Sequence, residues 1–437
     1  MIDKFFFIFL VLNMTGIFTF IAPQLGVSIG FVSFLLLGFN VFYLFAKAKY
    51  INLIIKHSGF KIWLLIILIW PLLTIVYAPA LGFREIGLQF YYVTLFTGAV
   101  VYTTTNGLPA VNRLLTTSLI ITLFGVALSL IAPQYFEAVG RLANAESFMK
   151  SRAFGFYLQP NILAINLVLL FIGWFAFCKH KSVTLEVVAI ILLMLVILLT
   201  GSRTGMIISL ITIAFILGQP GLKKIMIFQY LVKIVILIIF VVGLSVAMKN
   251  ISTDMITGDK GEDELLTRME RMLDFRLSDN DALLEDTSVQ HRRLAQLTYL
   301  SLIYESPLVG YGFNSETYFL EKGFFPRMSH STAISSTLHY GILYPIAFIL
   351  VVFQLYRKQR KSKVWGGIQS RSVPNFVVIF LLLYFIAGEM LDDRTLYIVW
   401  GMFYAAVYHA GTLASYGQSY KIRKTLQFHM GCPQSYA

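Results

Sequence analysis

The chain has 437 residues, 57% of them hydrophobic and only 13% charged, with a mean hydropathy of +0.75. Soluble domains are about 45–50% apolar and about 25% charged, so a single water-soluble domain is excluded. The formal net charge of +13 would point to nucleic acid in a polar chain; here it is first a topology signal. Two cysteines, Cys178 and Cys432, are too few to read as a disulfide framework.

About 20 mostly apolar residues cross a hydrocarbon core about 30 Å thick. About twelve such runs occur, near residues 5–22, 26–46, 62–78, 84–104, 115–132, 161–178, 183–200, 203–218, 228–247, 332–355, 375–391 and 394–412. The first is expected to be a span and not a cleaved leader, because Met1-Ile2-Asp3-Lys4 is weakly basic and no small-residue cleavage site follows. Lysine and arginine alternate by loop. With the N-terminus inside, the inner loops hold Lys47, Lys49, Lys56 and Lys61, then Arg113, Lys179 and Lys181, Lys223 and Lys224, the cluster Arg357 to Arg371, and the tail. The opposite short loops are nearly bare. Short cytoplasmic loops carry the basic excess, so both termini are expected in the cytoplasm.

One loop, from about Lys249 to Met328, stands apart and falls on the outer side. It carries 14 of the 22 acidic residues. Apolar residues at three- and four-residue spacing predict amphipathic helices over Glu262–Phe275 and Val289–Tyr304, joined by the acidic, apolar-poor stretch 278–288. The expected fold is therefore all-α and polytopic, with a large, partly helical periplasmic loop between spans 9 and 10. The expected divisions are a bundle over 1–248, the loop domain over 249–330, a second bundle over 331–412 and a tail over 413–437.

Polar groups beside a bilayer are expensive, so each wants a reason. Thr200-Gly201-Ser202-Arg203-Thr204-Gly205 reads either as a tight helical hairpin whose arginine snorkels, or as an anion site combining a guanidinium, hydroxyls and backbone N–H groups. His291-Arg292-Arg293 opens a helix that should stop at Glu305-Ser306-Pro307, ahead of the turn Gly310-Tyr311-Gly312-Phe313. Arginines on a solvated helix face are the plainer reading of that pair. His330-Ser331-Thr332 sits at the outer mouth of the next span. A polar cap is the commoner role there, yet His330 is the best-placed neutral-pH base, while His339 lies deeper and suits a hydrogen bond between helices. Asp392-Asp393-Arg394 reads as an ion-paired turn, or as a carboxylate that orients His330 or binds substrate. No Asp-x-Asp or His/carboxylate cluster asks for a metal ion, and no cofactor is called for.

Taken together, these segments resemble the O-antigen polymerase and O-antigen ligase superfamily of bacterial surface-polysaccharide glycosyltransferases. The resemblance rests on Arg152 through Pro160-Asn161-Ile-Leu-Ala164, on Gly201-Ser202-Arg203-Thr204-Gly205, on Arg292 through Pro307-Leu-Val-Gly310-Tyr-Gly312, and on His330-Ser331 with Gly341 eleven residues on. It implies transfer of a glycan, with inversion, from a polyprenyl-diphosphate carrier to an acceptor hydroxyl on the periplasmic side of the inner membrane. It assigns catalysis to Arg203, Arg292 and His330. Arg292 fits the spacing to Pro307 better than Arg293, although Gln296 stands where the family has tryptophan. Substrate contacts are expected from Arg152, Asn161, Ser202, Arg293, Tyr311, Asp392 and Arg394. The implied partners are a lipid-linked glycan donor, a glycan acceptor and the bilayer, with a chain-length regulator and a flippase as further candidates and no nucleic acid. Polymerase is the preferred reading, ligase the alternative, and a flippase or other transporter the alternative from another class. On this topology the cytoplasmic side carries +17 and the outer side −4, so the basic balance is an orientation signal.

Overall fold

A computed structural model describes residues 1–79, 83–142, 153–177, 183–217, 287–324, 331–361, 368–386 and 393–408. Both cysteines, the run 228–247, the helix expected over Glu262–Phe275 and the tail from 413 lie outside them. Among the described residues every regular element is helical.

The first apolar run is not one straight span. It forms α1 (Ile2–Met14) and α2 (Ile17–Gln24), which meet at 84°. Gly16 makes the break with a φ of +73°, and the Met14 carbonyl released there accepts the Tyr157 hydroxyl. Helix α3 (Ile29–Ala46) starts on Ser28, whose Oγ accepts the Phe31 N–H, and turns 87° into the amphipathic α4 (Ala48–Ile55). Next comes α5 (Ser58–Leu64), continued by a π turn (Leu65–Ile69), by α6 (Trp70–Leu73) and by a 3-10 turn (Thr74–Tyr77). The π turn loosens the carbonyl ladder, and the Gln89 amide donates to Ile67 O.

Helix α7 (Phe83–Ile131) has 49 residues. At 1.5 Å per residue it would reach about 70 Å, more than twice a hydrocarbon core. Gly107, with φ 71° and ψ −176°, divides it, and Pro109 starts the second arm. The two arms correspond to the apolar runs 84–104 and 115–132. The remaining helices are α8 (Pro133–Leu142), α9 (Pro160–Phe177), α10 (Val183–Thr200), α11 (Arg203–Leu217), α12 (Thr287–Glu305), α13 (Ser315–Glu321), α14 (Thr332–Tyr340), α15 (Leu343–Lys361), α16 (Ile368–Ile386) and α17 (Arg394–Tyr408). By length and composition the described residues hold three helices able to cross a membrane, or five if each bent pair is one span.

The core forms around α7 and α9. Helix α7 packs on α1, α3, α9 and α17, while α9 also touches α10, α11 and α16. Helix α9 is apolar all round and almost wholly buried, as a central helix must be. Aromatic rings fill the middle: Trp63 stacks on Phe96 with centroids 3.8 Å apart, Trp400 meets Trp63 edge-on at 5.8 Å, and Phe376 stacks on Phe403 at 4.3 Å.

The bundle has two distinct ends. One gathers the Lys47–Asp3 ion pair at 2.9 Å, His57 against Tyr404, and Lys358 over Tyr408. The other brings together Tyr135 with Gln24, Arg394 with Ser33, Asn166 with Asp393, and Tyr77 with Val309. Lys47 and Lys358, two of the basic residues of the loops expected inside, belong to the first group.

Candidate functional site

The Gly-Ser-Arg turn is built from short-range hydrogen bonds. Thr200 Oγ1 donates to Ile197 O at 2.6 Å and accepts the Ser202 N–H at 3.2 Å, while Gly201 takes a φ of +59°. Ser202 Oγ then accepts the Gly205 N–H at 3.2 Å, which makes Ser202 the N-cap of α11 and Arg203 its first residue. Ser202, expected to contact substrate, is 2% exposed; its oxygen is engaged in shaping the turn that presents Arg203.

Two contacts tie this turn to the upstream motif. The Ala153 N–H donates to Leu199 O at 2.9 Å, across the end of α10. A Cβ at Gly205 would lie 2.6 Å from the Ala164 Cβ, so only glycine lets the start of α11 approach α9 this closely. Ala164 closes the Pro160-Asn161-Ile-Leu-Ala164 segment, and Pro160 is the first residue of α9, where its missing N–H is harmless. Asn161 is exposed on that first turn. The two motifs are therefore one structural unit.

Deeper along α9, Asn166 Nδ2 donates to Asp393 Oδ2 at 2.6 Å and to Ile162 O at 2.9 Å. Asp393 Oδ1 accepts the Leu396 N–H at 3.1 Å and so caps α17. Burial pushes the Asp393 carboxyl up to about 6, opposed by its hydrogen bonds to Leu396, Asn166 and Thr395 and by the Arg394 charge. Arg394 Nη2 donates to Ser33 Oγ at 3.1 Å, and the guanidinium lies 5.7 Å above the Tyr91 ring. Arg394 is thus held between α3 and α7.

The outer loop piece docks on α14 and α15. Helix α12 runs on to Glu305 and stops before Pro307. Gly310 and Gly312 then take φ values of +71° and +92°. The Tyr311 N–H donates to Leu338 O, the Gly312 N–H to His339 O and the Ile342 N–H to Pro307 O, each at 2.8 Å. Gly341, φ +75°, lies between α14 and α15. A Cβ there would lie 1.9 Å from Leu308 O, and one at Gly310 would lie 2.6 Å from the Gly341 N. The contact is backbone against backbone. Around it, Tyr299, Phe319 and Leu338 form a small separate core. Tyr299 donates to the buried Glu316 Oε1 at 2.5 Å, and the Glu316 N–H donates to His339 Nε2 at 3.1 Å. His339 makes the link between helices its depth suggested. Tyr311 directs its hydroxyl to Glu305 at 3.0 Å and its ring against Phe319; burial, with Glu305 beside it, raises the phenol's pKa.

Arg152, His330 and Asp392 lie outside the described residues. For Arg203, Arg292 and Arg293 the helical positions are described: the first begins α11, and the other two lie on the second turn of α12, which packs on α14. Ser331, the residue after His330, precedes α14 and donates its hydroxyl to Phe385 O at 2.9 Å, at the end of α16. Sequence reasoning did not find the Asn166–Asp393 contact. The available signal was an amide six residues inside an apolar run, where polar groups need a partner. Among the described residues no three His, Cys, Asp or Glu side chains come together as a metal site.

The match to known proteins covers several of these segments. Residues 188–349 match the family described as O-antigen ligase. That stretch starts within α10 and ends within α15, and it includes Arg203, Arg292, Arg293 and His330. Comparison with curated proteins gives no match. The motif order and this match agree: the apolar helices mark a multi-pass membrane protein, and its residues 188–349 match the O-antigen ligase family, which supports the O-antigen ligase and polymerase superfamily.

Proposed function

We propose that the chain is a polymerase of bacterial surface-polysaccharide assembly, joining polyprenyl-diphosphate-linked repeat units at the periplasmic face of the inner membrane. The observation that supports this reading most directly is that described parts of the family's segments are joined in two pairs. Arg203 opens a helix seated on the Pro-Asn segment by the Gly205–Ala164 contact. The helix bearing Arg292 and Arg293 is clasped to the helix that begins two residues after His330.

In the reaction the acceptor hydroxyl oxygen attacks the anomeric carbon in line, and the bond from that carbon to the diphosphate oxygen breaks with its electron pair leaving on the diphosphate. In-line displacement inverts the anomeric centre. Arg203 and Arg292 stabilise the charge that grows on the leaving diphosphate, which permanently charged guanidiniums do without a metal. His330 accepts the hydroxyl proton. Arg152, Asn161, Arg293 and Tyr311 bind the substrates.

The test is incubation of the purified chain with a lipid-linked repeat unit, followed by product sizing. A ladder of multiples is expected, insensitive to chelator and lost with Arg203→Ala. A single transfer to a separate core or protein acceptor, with no ladder, would establish the ligase reading. Unchanged substrate with every acceptor would refute the transferase reading.

A further inference from the structure

Helix α12 is apolar on two opposite sides, and the docked piece uses one of them. Ala295 and Tyr299 are fully buried where α12 packs on α14, and Leu302 and Ile303 pack beside Tyr299. At about 100° per residue, Leu294, Leu297, Leu300 and Tyr304 fall on the other side, and Leu308 follows them in the turn. These five stand 50–87% exposed. Beside them, the Thr298 hydroxyl donates to Leu294 O at 3.0 Å and the Ser301 hydroxyl to Thr298 O at 2.7 Å, so both are satisfied by the helix itself without water. A row of large apolar side chains left uncovered marks a contact surface.

The row ends where two lipid-facing lines end. Along the helical run Ser58–Tyr77, 20 residues long and apolar enough to cross a bilayer, Ile62, Leu65, Ile69, Leu73 and Val76 are exposed at spacings of three and four. Leu343, Ile346, Leu350 and Phe353 are exposed in the same way along α15. Tyr77, at the end of the first line, donates its hydroxyl to Val309 O at 3.0 Å. The Ile342 N–H, at the head of the second, donates to Pro307 O at 2.8 Å. Leu308 and Val309, both exposed, therefore sit at the rim where the two lines leave the hydrocarbon, and the α12 row continues from them. Tyr77 and Tyr304 are exposed there as well, and an apolar ring with a polar tip suits the headgroup level.

We propose that α12 is an interfacial helix whose row Leu294, Leu297, Leu300, Tyr304 and Leu308 rests in the adjacent leaflet, with phospholipid headgroups and upper acyl chains as its partner. The docked piece is then held by the glycine clasp on one side and by lipid on the other. In a consequence that rests on the reaction proposed above, the second turn of α12, with Arg292 and Arg293, comes to the depth of a lipid-linked diphosphate.

The test reads depth. In full chains carrying Cys178→Ser and Cys432→Ser, an environment-sensitive fluorophore is attached at Leu297→Cys or, separately, at Leu300→Cys; Leu294→Cys replaces either one that fails to fold. Each chain is placed singly in bilayer discs of phosphatidylethanolamine and phosphatidylglycerol, which leave both faces open to the buffer. Nitroxides on shallow acyl positions of the lipids should lower the emission about threefold or more, while iodide in the buffer should quench at most about a third as well as it quenches the fluorophore on free cysteine. Iodide quenching equal to that of the free adduct overturns the proposal, since the row then faces water. Protection from both quenchers overturns it too, since another segment of the chain then covers the row. No step reads glycan transfer, so failure here leaves the proposed reaction standing.

Discussion

The bundle and the docked outer piece hold together by opposite means. Around α7, α9 and α17 the contacts are many, apolar and redundant, with rings such as Trp63, Phe96, Trp400 and Phe348 each meeting several others. The piece from Thr287 to Phe324 rests on the small core of Tyr299, Phe319 and Leu338, on Phe313 at the edge of the bundle core, on the hydrogen bonds from Tyr77 to Val309 and from Glu316 to His339, and on a glycine clasp. Redundant packing yields gradually when one ring is lost. A clasp of backbone on backbone works or fails. Segments that move in function come from the less redundant class, and here that class carries Arg292 and Arg293.

The largest effect should come from Gly341→Val. Its side chain would collide with Leu308 O, so proteolysis within Thr287–Phe324 should accelerate and glycan transfer should fall at least a hundredfold, while the bundle's unfolding midpoint stays near wild type. If the bundle melts with the clasp, the two regions are not separable. Next, Trp400→Ala should cost about 3–5 kcal/mol by leaving a cavity, read as a lower unfolding midpoint with outer-piece proteolysis nearly unchanged below it. Tyr299→Phe removes a donor from the buried Glu316 carboxylate and should cost about 1–3 kcal/mol. Here the proteolysis rate should change and the bundle midpoint should not.

The smallest expected effect probes a polar exception within the bundle. The fold raises Asp393 from 3.8 to about 6, so it favours the protonated form. That contribution to stability is complete below about pH 4 and is lost as pH rises through about 6. Asp393→Asn should therefore flatten the fall in midpoint across this window. An unchanged slope would show that Asp393 titrates as it does in the unfolded chain.

Much of the helical plan was legible because hydropathy is a local property. The runs at 161–178, 183–200 and 203–218 match α9, α10 and α11 within a residue or so, and Pro307 stops α12 as its chemistry requires. What hydropathy could not show was where a run fractures. Gly16 divides 5–22 and Gly341 divides 332–355, yet glycine in an apolar run reads the same whether it bends or not. Contacts across long separations were equally hidden. Ala153 to Leu199, Pro307 to Ile342 and Asn166 to Asp393 each depend on how whole helices are laid side by side. At the site, residue types announced themselves by their cost beside a bilayer, whereas the capping duties of Ser202 and Asp393 needed coordinates.

The glycine clasp also fixes where this chain can be recombined with others of its kind. Gly310 and Gly341 meet within a width that excludes any side chain, so neither partner of the pair can be exchanged without the other. A chimera that takes a foreign outer loop and joins it just before His330 would bring in a foreign turn against a native break. Junctions placed ahead of Thr287 on one side and beyond Ile342 on the other carry both halves together, and such grafts should keep their register.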